Sequence, residues 1–77
     1  MNRFINFDDL VEALSEIEHQ QWLHWSKPVA PEVAGATRRK WKRSWMDYSK
    51  LTEGEEESDR VWARKVVALL RERQLIP

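Results

Sequence analysis

The stretch from Trp41 to Arg60 concentrates the side chains that could do chemistry in this sequence. It carries cations and aromatic rings first, then Tyr48, then a run of carboxylates that ends in Asp59-Arg60. None of these residues forms a catalytic signature, because the chain has no nucleophile elbow and no serine with a base at a telling distance. The absence of cysteine also excludes thiolate catalysis, disulfides and cysteine-based zinc sites. We therefore expect binding chemistry and no enzymatic activity.

The two histidines are not spaced as metal ligands. His19 and His24 are five residues apart, whereas helical zinc sites use histidines at i and i+4. Glu18 and His19 are adjacent, and neighbouring residues on a helix point about 100° apart, so these two do not form a dyad with each other. The sequence predicts neither a metal nor another cofactor.

Three polar side chains fall on helix faces that should be buried. On a helical wheel, Glu18 and Gln21 lie inside the apolar stripe of the first predicted helix, and Asp59 continues the stripe of the last one. A buried carboxylate is costly unless it is paired or hydrogen-bonded. These groups either bond Tyr48, indole N–H groups, an arginine or loop backbone, or they line a small polar pocket walled by Trp and Tyr. The two interpretations are compatible.

The basic run from Arg38 to Trp45 has three interpretations. Cations with stacking rings are typical of single-stranded nucleic-acid binding. The run could instead be a solvated helix face, with Trp41 and Trp45 packed in the core. A small anionic ligand such as a nucleotide also fits, with arginine on phosphate and a ring against the base. Because the formal net charge is zero, a nucleic-acid partner is not expected.

Three helices must position these residues, and the first is predicted from its cap at Asn6 to near Ser26, before Lys27-Pro28. Apolar residues recur along it at three- and four-residue steps, the pattern of one buried face. They are Phe7, Leu10, Val11, Leu14, Ile17 and Trp25. His19 and Trp22 flank this stripe and offer a second contact surface.

The second helix is predicted from about Pro31 to Trp45, with an irregular start because Gly35 and Thr37 are poor helix formers. The residues predicted on one side of it are Ala34, Arg38, Trp41 and Trp45. Met46 to Leu51 is predicted as a short connector.

The third helix is predicted from Glu53 to about Arg73. Thr52 and Glu55 fit a capping box, in which the hydroxyl and the carboxylate satisfy each other's backbone N–H groups. The predicted inner face is Asp59, Trp62, Ala63, Val66, Leu69 and Leu70. The sequence thus predicts a mostly α, three-helix domain over residues 1–77, with a long basic, tryptophan-bearing connector between the first and last helices.

The length of 77 residues leaves little core for one domain. Five tryptophans supply bulk, and oligomerisation or a ligand would supply the rest, so a homo-oligomer is expected. No apolar run approaches the roughly 20 residues of a membrane span, and the N-terminus lacks a basic-then-apolar signal. We expect a cytoplasmic protein with no membrane partner.

Three motifs resemble the ryanodine-receptor repeat domain in its short prokaryotic and phage form. They are Glu18-His19-Gln20-Gln21-Trp22, Trp45 to Leu51, and the acidic Glu53 to Glu57 leading into Asp59-Arg60. The resemblance covers about residues 14 to 70, and Asp47 stands where the family has proline before the tyrosine. It implies a mostly helical, non-enzymatic module, whose prokaryotic relatives are proposed to bind nucleotide-like ligands. The matching motif positions are Glu18, His19, Trp22, Tyr48, Leu51, Asp59 and Arg60.

The expected function is therefore binding of a nucleotide-like anionic small ligand, for example by a phage protein that sequesters a host signalling nucleotide. The predicted ligand-binding residues are Glu18, His19, Trp22, Arg38, Arg39, Trp41, Trp45, Tyr48, Asp59 and Arg60. The alternative is a structural or adaptor module that self-associates or docks on a protein, with sensitivity to changes at Trp25 or Ile76. Single-stranded nucleic-acid binding, with a steep salt dependence, is the third hypothesis.

Overall fold

The computed structural model describes residues 6–77, and within that range three α-helices are joined by two short 3₁₀ turns. Helix α1 is Phe7–Val29, α2 is Gly35–Lys42 and α3 is Glu53–Glu72; the 3₁₀ turns are Ala30–Glu32 and Tyr48–Lys50. The predicted mostly helical, three-helix fold is confirmed, including the packing of the first helix against the last. Within this part of the chain, no helix is both long and apolar enough to cross a membrane.

Helix α1 begins where predicted and ends later. The Asn6 side chain accepts a hydrogen bond from the backbone N–H of Asp9 at 3.1 Å, which caps the helix. The prediction that the helix stops near Ser26 is wrong, because Pro28 lies inside its last turn. A proline there removes only one N–H bond, and the chain then tightens as the Ala30 N–H bonds the carbonyl of Lys27.

Helix α2 is shorter than the predicted Pro31 to Trp45. Pro31 belongs to the first 3₁₀ turn, and the backbone is extended at Val33, with φ −99° and ψ 161°. Arg38 explains the interruption: its guanidinium donates to the carbonyls of Ala30 at 2.8 Å and Val33 at 3.0 Å, and also to that of Pro31. These carbonyls are therefore satisfied by a side chain and not by a continuing helix.

Helices α1 and α3 run antiparallel. The Arg71 guanidinium near the end of α3 lies 4.7 Å from the Phe7 ring centroid at the start of α1, while His19 meets Asp59 further along. Ser15 and Ala63 have no exposed surface and mark the contact line. Side chains this small let two helices pack closely.

The core lies at different positions from the predicted stripes. The buried residues of the two long helices are Ser15, His19 and Ser26 on α1 and Ala63 and Val67 on α3. The predicted inner residues Ile17, Trp25, Trp62, Val66 and Leu69 are exposed, and so is Gln21. The predicted inner faces are thus wrong for these residues, because polar partners from other elements set the rotation of both helices.

The chain forms a thin, elongated layer. Its extents are 51 × 23 × 19 Å and its radius of gyration is 15.2 Å, whereas a compact domain of this length has a radius near about 11–12 Å. Large apolar side chains therefore have little interior to fill.

The start and end of α3 follow known capping motifs. The predicted capping box is present: the Glu55 N–H donates to the Thr52 hydroxyl and the Thr52 N–H donates to the Glu55 carboxylate. At the other end, the Leu75 N–H bonds the Leu70 carbonyl at 2.9 Å and the Gln74 N–H bonds that of Arg71 at 3.0 Å. This is a Schellman motif with Gln74 at φ 58°, where glycine is the usual residue.

We predict that Gln74→Gly stabilises the protein by up to about 1 kcal/mol, because glycine adopts a positive φ without the strain caused by a Cβ atom. Thermal unfolding followed by circular dichroism should show a rise of a few degrees. Gln74→Ala is the matched control, since it removes the same polar group but keeps the Cβ. Equal stabilisation by both variants would contradict the explanation.

Candidate functional site

An open pocket of about 250 Å³ lies where α1, the segment after α2 and the first turns of α3 meet. We call it the His19–Asp59 pocket. It is lined by His19, Trp22, Ser44, Leu51, Glu55, Ser58 and Asp59. Two of these residues are acidic and none is an arginine or lysine, so the lining favours hydrogen-bond donors and positive charge over phosphate.

The imidazole of His19 is held in one orientation. Its Nε2 lies 2.6 Å from the backbone carbonyl of Met46, and because a carbonyl only accepts, Nε2 must carry the hydrogen. The His19 side chain is 5% exposed, and its ring stacks on Trp22, with centroids 5.7 Å apart and an interplanar angle of 26°. Nδ1 is therefore the ring nitrogen that faces the Asp59 carboxylate, at 3.8 Å.

The Asp59 carboxylate has no hydrogen-bond donor among residues 6–77. Burial raises its pKa, the His19 ring opposes that rise, and the charge of Glu18 adds to it. In the neutral form of His19, Nδ1 and the carboxylate are both acceptors that face each other with no donor between them. A proton on Nδ1 or an N–H group of a ligand would satisfy both.

Glu55 fixes the rim of the pocket. One of its carboxylate oxygens accepts from the Ser44 hydroxyl, and the other accepts from the Thr52 hydroxyl at 2.8 Å. The Ser44 hydroxyl, followed by that of Thr52, lowers the pKa of Glu55. Glu55 thus contributes negative charge to the pocket while its oxygens tie the segment after α2 to the start of α3.

A second polar cluster lies between α1 and α3 and joins Glu12, Tyr48 and Arg60. The Tyr48 hydroxyl donates to one Glu12 oxygen at 2.9 Å, and the Arg60 guanidinium donates to the other. Arg60 also pairs with Glu53, Glu56 and Glu57. The hydrogen bond from Arg60 lowers the pKa of Glu12, while burial and the bond to Glu12 raise the pKa of Tyr48.

Several predicted ligand-binding residues lie outside the pocket. Arg38 is engaged by the loop carbonyls described above, and Arg39 is exposed on α2. The Trp41 ring packs edge-on against Trp22, with centroids 6.2 Å apart, and against Trp25 at 5.6 Å. The Trp45 indole N–H donates to the buried Ser26 hydroxyl at 3.2 Å.

The structure therefore does not bring the ten predicted residues into one site. His19, Trp22 and Asp59 line the pocket, with Glu18 half-exposed nearby. Tyr48 and Arg60 belong to the Glu12 cluster. The other four predicted residues lie elsewhere: loop carbonyls engage Arg38, Trp22 packs against Trp41, Ser26 bonds Trp45, and Arg39 is exposed. Within residues 6–77, no three potential metal-ligating side chains form a cluster.

Sequence reasoning missed Glu12, Ser44 and Ser58 as site residues. The capping box identified Glu55 only as a helix-start residue. Glu12 carried no signal, because its partners lie 36 and 48 positions away in the chain. Serines outside a recognised motif carry none either.

Comparisons of the chain with protein-family models, with curated proteins and with solved structures found no match. The resemblance to the ryanodine-receptor repeat therefore stays a prediction from the motifs.

The two clusters predict opposite responses to loss of a carboxylate. A carboxyl with a lowered folded pKa contributes stability above its unfolded pKa of about 4.3, and this contribution is lost as the pH falls through the folded value. Glu12→Gln should therefore destabilise the protein at pH 7, by no more than about 1 kcal/mol because the Glu12 side chain is 44% exposed and solvent screens its ion pair. The difference from wild type should shrink below about pH 4. Urea unfolding across pH tests this, with exposed Glu72→Gln as the control.

Asp59→Asn should have the opposite effect. A raised folded pKa contributes stability below the unfolded pKa of about 3.9, and this contribution is lost as the pH rises through the folded value. The asparagine variant avoids that loss, so it should be more stable than wild type at pH 7 and equal to it near about pH 3. The same urea measurements apply. A destabilised Asp59→Asn protein at pH 7 would show that the carboxylate is structural.

Proposed function

We propose that this chain is a non-catalytic binding module whose His19–Asp59 pocket takes the amino-bearing ring of a small ligand, such as the base of a nucleotide. The observation that carries the proposal is the pair of facing acceptors, His19 Nδ1 and the Asp59 carboxylate, 3.8 Å apart. Ligand N–H groups placed alongside the pair, on the side of the open pocket, could donate to both acceptors. Both residues line the open pocket, and the Asp59 side chain is 21% exposed, so a ligand that donates to both acceptors would replace water and gain a charge-assisted hydrogen bond.

The dimensions of the pocket favour part of a nucleotide over a whole one. Its volume of about 250 Å³ is below the usual range of about 300–1,000 Å³ for small-molecule sites. Trp22 and His19 form an aromatic wall, and aromatic rings stack against bases in single-stranded recognition. A flat base would therefore enter while its sugar and phosphate stay outside.

The anionic part of such a ligand would meet cations at the edge of the site. Arg43 precedes the lining residue Ser44, and Lys50 precedes the lining residue Leu51. Both cations are exposed. They replace Arg38 and Arg60 as the proposed phosphate contacts, because loop carbonyls and carboxylates already engage those two arginines.

The hydrogen bonding of the pocket supports binding without chemistry. The Ser44 hydroxyl donates to Glu55, and the Ser58 hydroxyl donates to the Gly54 carbonyl at 3.3 Å. The lowered pKa of Glu55 makes it a weak base for Ser44, and Ser58 meets only a backbone carbonyl, so neither hydroxyl is activated as a catalytic nucleophile would be. A module of this kind would sense or sequester its nucleotide, as the resemblance to the short ryanodine-receptor repeats also implies.

Guanine matches the acceptor pair better than the other bases, because its ring N–H and its amino group are adjacent donors. We predict that guanosine monophosphate binds most tightly, adenosine and cytidine monophosphates more weakly, and uridine monophosphate, which has no amino group, most weakly. Isothermal titration calorimetry with these four nucleotides measures the order. No binding of any of them, or tightest binding of the uridine nucleotide, would contradict the proposal.

Asp59→Asn should weaken guanosine monophosphate at least about 10-fold, since it replaces a charge-assisted hydrogen bond by a neutral one and introduces a competing donor. Arg39→Ala is the matched control, because Arg39 is exposed on α2 away from the pocket lining and its loss should leave the affinity unchanged. The two variants separate pocket recognition from general attraction between cations and phosphate.

A further inference from the structure

The antiparallel pair α1–α3 has two sides, and polar contacts identify one of them. Glu12 and Arg60 meet there, with the Tyr48 hydroxyl bonded to the same carboxylate. Each of the two charged residues lies three positions before the residue that marks the contact line on its helix, Ser15 on α1 and Ala63 on α3. In an antiparallel pair of helices, side chains at the same sequence offset from the contact residues point to the same side of the pair.

The opposite side is apolar. Residues one position before Ser15 and Ala63 point about 160° away from those three positions before, so Leu14 and Trp62 project together, away from Tyr48. Residues three, four or seven positions from Leu14 or Trp62 lie on the same side of their helix and extend this surface along both helices. We call it the apolar two-helix face: Leu10, Leu14 and Ile17 of α1 with Trp62, Val66 and Leu69 of α3.

The described part of the chain leaves most of this face uncovered, although Leu10 and Leu14 are partly buried. Ile17 is 59% exposed, Trp62 57% and Leu69 50%, and Val66 is also exposed. The Nζ of Lys65 lies 4.2 Å from the centroid of the Trp62 ring, so a lysine stem shields part of it. The six side chains together expose on the order of 500 Å² of apolar surface, near the upper end for a monomer.

The single chain buries few large apolar side chains in its interior. Among residues 6–77, the buried hydrophobic residues are Ala30, Tyr48, Leu51, Ala63 and Val67. No leucine, isoleucine or phenylalanine of α1 is fully buried. A chain of 77 residues usually needs more than this to fold stably, and self-association is one of the few ways to obtain it without disulfides or metals.

We propose that a second copy of this chain covers the apolar two-helix face, so that two helix pairs form a four-helix bundle. Two layers facing each other about a two-fold axis bury the same patch on both chains, and antiparallel helix pairs pack this way in four-helix bundles. The interface would bury about 1,000 Å² of apolar surface plus a polar rim, which reaches the range of stable dimers, about 1,200–2,000 Å².

Charge also favours a second copy as the occupant. The formal net charge of the chain is zero, with 13 basic and 13 acidic residues, so two copies have no net repulsion to overcome. The face itself carries no charged side chain among its six members. This inference does not depend on the proposed nucleotide site, whose pocket shares no residue with the face.

Sedimentation equilibrium of the purified full chain tests the proposal. The expected mass is twice the 9.3 kDa of one chain. Trp62→Glu and Leu69→Glu should each weaken the dimer at least about 100-fold, because each places two charges in a buried apolar interface. Val61→Glu is the matched control, since Val61 is 44% exposed on the same helix but points away from the face, and this variant should dimerise as the wild type does.

Circular dichroism of each variant shows whether the helices form, and titration with guanosine monophosphate shows whether the pocket is intact. A folded, monomeric Trp62→Glu or Leu69→Glu protein beside a dimeric wild type and a dimeric Val61→Glu supports the proposal, whether or not the chain binds the nucleotide. A wild-type chain that stays monomeric at every concentration overturns it, as does a dimer insensitive to both substitutions. An open series of larger assemblies would also overturn it, because a two-fold interface closes at two copies.

Discussion

Glu12 joins Arg60 of α3 to Tyr48 of the connector, and this polar contact explains how the two long helices are rotated against each other. An arginine that is mostly buried and a buried tyrosine hydroxyl both need partners, and one glutamate supplies both. The resulting rotation places Ser15 and Ala63 on the contact line. It also turns His19 towards Asp59 at one end of the helix pair. The larger aliphatic side chains are turned to the side of the pair that lies opposite Glu12. The pocket and the uncovered face therefore have the same physical origin.

The sequence predicted local structure well and helix rotation poorly. The cap at Asn6, the capping box of Thr52 and Glu55 and the start of α3 depend on residues a few positions apart, so local pattern was sufficient. The interior face of α1 depends on Tyr48 and Arg60, whose positions relative to Glu12 only the folded chain defines. The stripe of greatest hydrophobicity therefore indicated a surface to be covered, but not the surface that α3 covers.

The same limit applies to the candidate site. Asp59 was predicted to point inward, and burial does raise its pKa. The predicted grouping of arginines with tryptophans in one site is not seen. A basic run in the sequence shows charge, but it does not show which carbonyls or carboxylates will bind the arginines. Arg38 closes a loop and Arg60 sits among four glutamates. The acidic, aromatic character of the pocket follows from positions 19, 22, 55 and 59, which come together only when α1 and α3 pack.

Nitrogen-15 NMR of the histidine rings tests this account most directly, because it reports the orientation of His19 and the group that occupies the space beside Asp59. His24, which is exposed, is the internal control. In the free protein, Nε2 of His19 should carry a fixed hydrogen, bonded to the Met46 carbonyl. On addition of guanosine monophosphate the Nδ1 resonance should shift, while Nε2 stays bonded to Met46. Two results would contradict this arrangement: exchange of the His19 hydrogen between the two ring nitrogens, or an Nδ1 resonance that does not shift when the nucleotide is added.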